Sequence, residues 1–162
     1  MAVENYKTNQ AANVGEKTEP GSNAHEVVRI VAPVAIAAAD DDGSTYLVAE
    51  SVPSSFVPVK ATILTDAITG GTDYDLGVYD SDTGVAVDAD LFVDGQTLAS
   101  ASRTLDGLSA VDIADIGALK SIAELLGLTP STAKSKYDLV LTGNTVGSAA
   151  GDVVVIFEGF AA

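Results

Sequence analysis

The chain has 162 residues, 47% of them hydrophobic, with 8 basic against 23 acidic residues and a net charge of −15. That length suits one domain with a buried core, and the charge leaves no cluster of Lys and Arg for a nucleic-acid backbone or an anionic membrane surface. Cysteine is absent and His25 is the only histidine, which removes disulfides, thiolate chemistry and His-rich zinc sites.

Residues 1–25 are polar, rich in Asn, Glu, Lys and Gly, and show no periodicity. Such a segment buries too little apolar surface to offset its ordering entropy. Two readings stay open, a disordered tail and an extended arm that orders on a neighbouring subunit. The opening MAVENYKTNQ has no apolar h-region, so export is not expected. The β-sandwich domain is expected over residues 26–162.

From His25, HEVVRIVAPVAIA is β-branched and partly alternating and reads as a strand, with Pro33 at an edge or bulge. The run is too short to span a bilayer and contains Arg29. ADDDGS follows as an acidic turn. TYLVAESV and SFVPVKATILTDAI read as further strands broken at Pro53, ITGGTD as a loop, and DYDLGVYD and VAVDADLFV as the next two strands. Leu76, Val78, Val85 and Val87 are the expected inward residues of that last pair, with the bend at Asp80–Gly84.

Between Leu105 and Gly127 the period changes. Ile113, Ile116, Leu119, Ile122 and Leu126 recur at helical spacing, so one helical segment is expected around residues 112–127. Asp112 is its expected N-cap, with Asp115 three residues on, and Gly127 its C′ residue. Thr129-Pro130 reads as a second N-cap and N1 pair. KYDLVLTGNTV and GDVVVIFEGF, joined by GSAAG, close the chain as an expected antiparallel hairpin. Tyr74-Asp75-Leu76 and Tyr137-Asp138-Leu139 open two strands alike, which places them equivalently in a sheet. The fold class is therefore mainly β, an antiparallel, jelly-roll-like sandwich with one inserted helical segment and an extended N-terminal arm.

The chemistry in this pattern is sparse. Asp82-Thr83-Gly84 is the aspartic-protease tripeptide, but that reaction needs two such aspartates sharing a proton, and the sequence is also an ordinary turn. Asp80 and Asp82, then Asp88 and Asp90, have i, i+2 spacing and are the candidates for calcium in an irregular oxygen cage. The EF-hand pattern fails, since Leu91 stands where its bidentate Glu belongs. Asp40-Asp41-Asp42-Gly43 reads as a turn cap. His25 has no serine in a Gly-x-Ser-x-Gly context to activate, and Gly70-Gly71 lacks the Lys-Ser/Thr of a phosphate loop. No catalytic residue and no enzyme class emerges.

The succession YDLGVYDSDTGVAVDADLFVDG, ADIGALKSIAELLGLTP and KYDLVLTGNTVGSAAGDVVVIFEGF, within residues 56–160, resembles small virion proteins of tailed bacteriophages. The nearest type is the capsid decoration protein, also called cement or head-stabilising protein. The resemblance implies a non-enzymatic, cofactor-free β protein on the outside of the capsid. It implies the major capsid protein as partner, a homotrimeric state, and assembly in the host cytoplasm. It carries over no site residues. A different class stays open: a calcium-dependent β-sandwich adhesion or receptor-binding module with Asp80, Asp82, Asp88 and Asp90 as ligands. Calorimetric titration with calcium separates the two.

Overall fold

A computed structural model of the chain describes residues 27–129 and 131–161. The expected arm and His25 therefore lie outside the described residues. Eight strands follow one another: β1 (Val27–Ile36), β2 (Ser44–Pro53), β3 (Phe56–Thr65), β4 (Asp73–Asp80), β5 (Ala86–Gln96), β6 (Ser102–Asp106), β7 (Lys136–Thr145) and β8 (Gly151–Ala161). Two short helices, α1 (Ile113–Gly117) and α2 (Ile122–Leu125), stand between β6 and β7.

The strands form two antiparallel four-stranded sheets, ordered β1-β8-β3-β6 and β2-β7-β4-β5. The two orders match position by position, β1 with β2, β8 with β7, β3 with β4 and β6 with β5. That is the strand order of a jelly roll, and the mainly-β sandwich expected from the sequence is the fold found. Alternation supplies the core. Ala32, Val34 and Ile36 of β1 are buried while Val31, Pro33 and Ala35 are exposed, as a period of two requires. Tyr74 and Leu76 of β4 and Tyr137 and Leu139 of β7 are buried, so the repeated Tyr-Asp-Leu opens two neighbouring strands alike. Antiparallel pairing nevertheless sets the copies at opposite ends of the ladder, Tyr74 against Gly143 and Tyr137 against Asp80. Phe157 of β8 joins the layers, with its ring centroid 5.0 Å from that of Phe92 and 5.9 Å from that of Phe56.

Three expectations need correction. The closing pair is no hairpin: β7 bonds β2 and β4, whereas β8 bonds β1 and β3. The loop between them crosses from one sheet to the other. Gly147 at φ +90 packs on the 69–71 loop there, and Ser148 N donates to Thr69 O at 2.9 Å.

Second, the helical stripe is not continuous. Leu119 adopts φ +55 and parts α1 from α2, so Ile113 stays 85% exposed while Ile122 is buried. Asp112 does cap α1 through Ala114 N at 2.8 Å, but the capping box belongs to Ser121 and Glu124 of α2. Gly127 takes the expected left-handed conformation at φ +68. Thr129 closes a turn by accepting from Thr132 N, and Pro130 lies outside the described residues.

Third, Val85 and Val87 face solvent, at 64% and 44% exposure. The register explains this. Leu76 pairs with Val93 but Val78 pairs with Asp88, so β5 sets Ala89–Phe92 opposite the single residue Gly77. This bulge hands the core positions to Phe92 and Val93 and turns Asp88 toward the face of Val78.

Candidate functional site

The acidic hairpin at residues 80–90 is the first place to look for chemistry. Asp80 Oδ1 accepts from Asp82 N at 2.9 Å and Thr83 N at 3.1 Å, and Gly84 N donates to Asp80 O at 2.7 Å. The Asp-Thr-Gly tripeptide is thus the turn itself, on the protein surface. Lys134, from the loop before β7, places its Nζ against Asp80 Oδ2 and 3.5 Å from Asp82 Oδ2. The Lys134 ammonium, with the two backbone N–H groups, holds the Asp80 carboxyl at about 2. Because that value lies below the ordinary 3.8, Asp80 adds stability above pH 3.8, and the contribution is lost as pH falls through about 2. Sequence reasoning missed Lys134, which lies more than 50 positions away in the chain and carries no local signal.

Asp88 and Asp90 stand apart from that arrangement. Burial first, then hydrogen bonding and repulsion from Asp90, push the Asp88 carboxyl up. A raised carboxyl value makes ionised Asp88 a cost above it, a cost that disappears as pH falls below 3.8. Asp88→Asn is therefore expected to raise the melting temperature slightly at neutral pH and to leave it unchanged below 3.8; thermal melts at the two pH values check this. Among the described residues no three His, Cys, Asp or Glu side chains gather where they could hold a metal ion. The structure does not bring Asp80, Asp82, Asp88 and Asp90 into one cage.

Several other aspartates are structural acceptors. Asp40 Oδ2 accepts from Ala37 N at 2.9 Å and from the Tyr46 hydroxyl at 2.8 Å, while Asp42 Oδ1 accepts from Val146 N at 3.0 Å. The ADDDGS turn thereby ties the start of β2 to the crossing loop. Tyr74, which donates to Val146 O at 2.9 Å beside it, has its hydroxyl pushed up to about 12 by burial, with Asp40 and Asp42 adding to the shift. Asp75 is buried on the outward side of β4. It accepts from Gly95 N at 2.8 Å and from Asn144 Nδ2 at 2.5 Å, pinning β5 at its next register shift, between Tyr74 and Leu76.

A shallow, open depression of about 410 Å³ lies at one end of the β1–β8 sheet, lined by Ala35, Ile36, Ala37, Asp66, Ala150, Gly151 and Asp152. It offers no nucleophile paired with a base. Asp66 Oδ2 instead accepts from Asp152 N at 3.3 Å.

Apolar surface is the stronger feature. On the outward side of the β1-β8-β3 ladder, Val31, Ile156 and Thr62 stand in one row and Pro33, Val154 and Leu64 in the next. Val27 is 69% and Val31 55% exposed. Above these rows Arg29 Nε meets Glu158 Oε1 at 3.3 Å, and Lys60 lies opposite Glu158 on the other side. Valines and isoleucine beside a mixed-charge row suit contact with another protein surface. No helix among the described residues is long and apolar enough to cross a membrane.

No family model and no curated protein matches the chain. Among solved structures, the chain is similar to one in the capsid asymmetric unit of cyanophage Pam1, with 17% identity, a TM-score of 0.51 and 100% of both chains covered. It is also similar to a chain in the capsid of Ralstonia phage GP4, with 13% identity, a TM-score of 0.54, and 91% of this chain and 94% of that one covered. At these identities the likeness is one of fold: this eight-stranded jelly roll has the architecture of chains found in phage-capsid structures.

Proposed function

We propose that this chain is a decoration protein of a tailed-phage virion. It binds the outer surface of the assembled shell as a homotrimer and stabilises contacts between major capsid protein subunits. The observation that carries the reading is the end-to-end likeness of its fold to chains in two phage-capsid structures. The outward rows of sheet β1-β8-β3-β6 support it, because their exposed valines and half-buried isoleucine offer a surface for contact with another protein. A charge of −15 keeps such a protein off packaged DNA and discourages random aggregation in the host cytoplasm.

The mechanism is additive. Each copy makes a modest contact with the shell, and three copies held together bind with an effective concentration set by their spacing. Bridging adjacent capsid subunits then opposes the outward pressure of packaged DNA. Removing residues 2–24 is expected to weaken shell binding at least tenfold, about 1.4 kcal/mol, with the melting temperature preserved. Co-sedimentation with the cognate shell measures this; unchanged binding refutes a role for the arm.

A further inference from the structure

A jelly roll has four edge strands, and three of these are unsuited to pairing with another chain. β2 is interrupted by two register shifts and by Ser51 at φ +54. β5 carries the wide bulge opposite Gly77, and β6 has only five residues and a shift of its own. Bulges and short length are the usual protection of an open edge. β1 has neither. It runs ten residues in unbroken register with β8, is apolar apart from Arg29, and stands at the end of its sheet. A proline within a ladder places its nitrogen on the open side. In antiparallel pairing that direction alternates along the strand, so Val27, Arg29 and Val31 share the open side with Pro33.

Charge is unevenly placed along the chain. Over residues 1–39, Lys7, Lys17 and Arg29 against four glutamates leave −1 of the −15, and all sixteen aspartates lie beyond residue 39. Copies of so acidic a protein repel one another on the whole, and this nearly neutral part adds little to that repulsion. Residues 1–26, which lie outside the described structure, end where β1 begins. Extended, they reach roughly 85 Å, enough to cross to a neighbouring copy.

We propose that the open edge of β1 accepts residues 1–26 of a second copy of this chain, which add to the sheet as a further strand. The inference rests on the reading of the chain as a self-associating virion protein and names the surfaces that do it. Backbone hydrogen bonds at Val27, Arg29 and Val31 give the affinity, and Val31 and its neighbours give side-chain contact. Handed from copy to copy, the arms form a head-to-tail interface, which closes into a ring if the rotation allows.

Native mass of the purified chain tests this without any shell present. The intact chain is expected as a multimer, and the chain lacking residues 2–24 at the mass of one copy. Val31→Pro, which removes an open-side donor and spares the β8 ladder, is expected to do the same with its melting retained. Mixing settles the donor even if that variant fails to fold. A chain with Asn9→Cys and a tagged chain with Val31→Cys, treated with a flexible bismaleimide, are expected to cross-link to each other. A monomeric intact chain, a multimer that survives the truncation, or cross-linking found only within a doubly substituted chain overturns the inference. Shell binding is measured separately, so either reading can fail while the other stands.

Discussion

Phe157→Ala is expected to cost about 3–5 kcal/mol of folding stability, the range for a fully buried aromatic. Phe157 lies on β8, an inner strand, opposite Ile30 of β1 and Ala61 of β3. Its ring meets that of Phe92 edge-on at 67° across the layers, so truncation opens a cavity between the sheets and removes an aromatic pair. Such pairs add about 0.5–1.5 kcal/mol beyond area burial. Urea unfolding checks it: the midpoint should fall with an unchanged slope. Ile156→Ala, one residue earlier and turned outward, provides the contrast and should cost roughly 1 kcal/mol, as its side chain is only half-buried. Equal losses at both positions would contradict the register of β8.

Gly77→Ala is expected to cost about 3 kcal/mol, the upper end for overpacking. A Cβ on Gly77 would meet the backbone of Asp88 and Ala89, which cross directly over it. Backbone cannot rotate away as a side chain can, so β5 must lift from β4. Gly84→Ala isolates the other way a glycine matters. Gly84 sits at φ +69 with nothing within 4 Å of its added Cβ, so only conformational strain remains, about 1 kcal/mol. Hydrogen exchange should show the Gly77 variant losing protection along residues 88–93, with the Gly84 variant unchanged there.

These two positions also mark where the sequence was readable. The strands themselves were legible wherever β-branched residues alternate, as in VVRIVAPVAI and KYDLVLTGNT. β6 went unseen because SRTLD gives the core only Leu105, too little for a period to register. The β5 bulge left no mark in composition, so Val85 and Val87 looked inward when Phe92 and Val93 are the buried pair. A short loop of small residues reads the same whether it closes a hairpin or spans two sheets; only the partners of β7 and β8 distinguish the two. The apolar stripe at residues 113–126 ignored the backbone, which reverses sign of φ at Leu119.

The acidic stretch was legible as a turn, and its partner was not. Asp80 and Asp82 look like free ligands in sequence, yet Lys134 arrives beside them from another loop. Asp75 likewise gave no signal before β4 and β5 were paired, although it anchors Gly95 and Asn144. Long-range partners of this kind are set by the strand order, which local periodicity does not encode.

Cryo-electron microscopy of cognate shells incubated with the purified chain tests the central claim most directly. Added density is expected on the outer surface, grouped in threes where neighbouring capsid subunits meet. Shells that remain bare, or density confined to the interior, would contradict it.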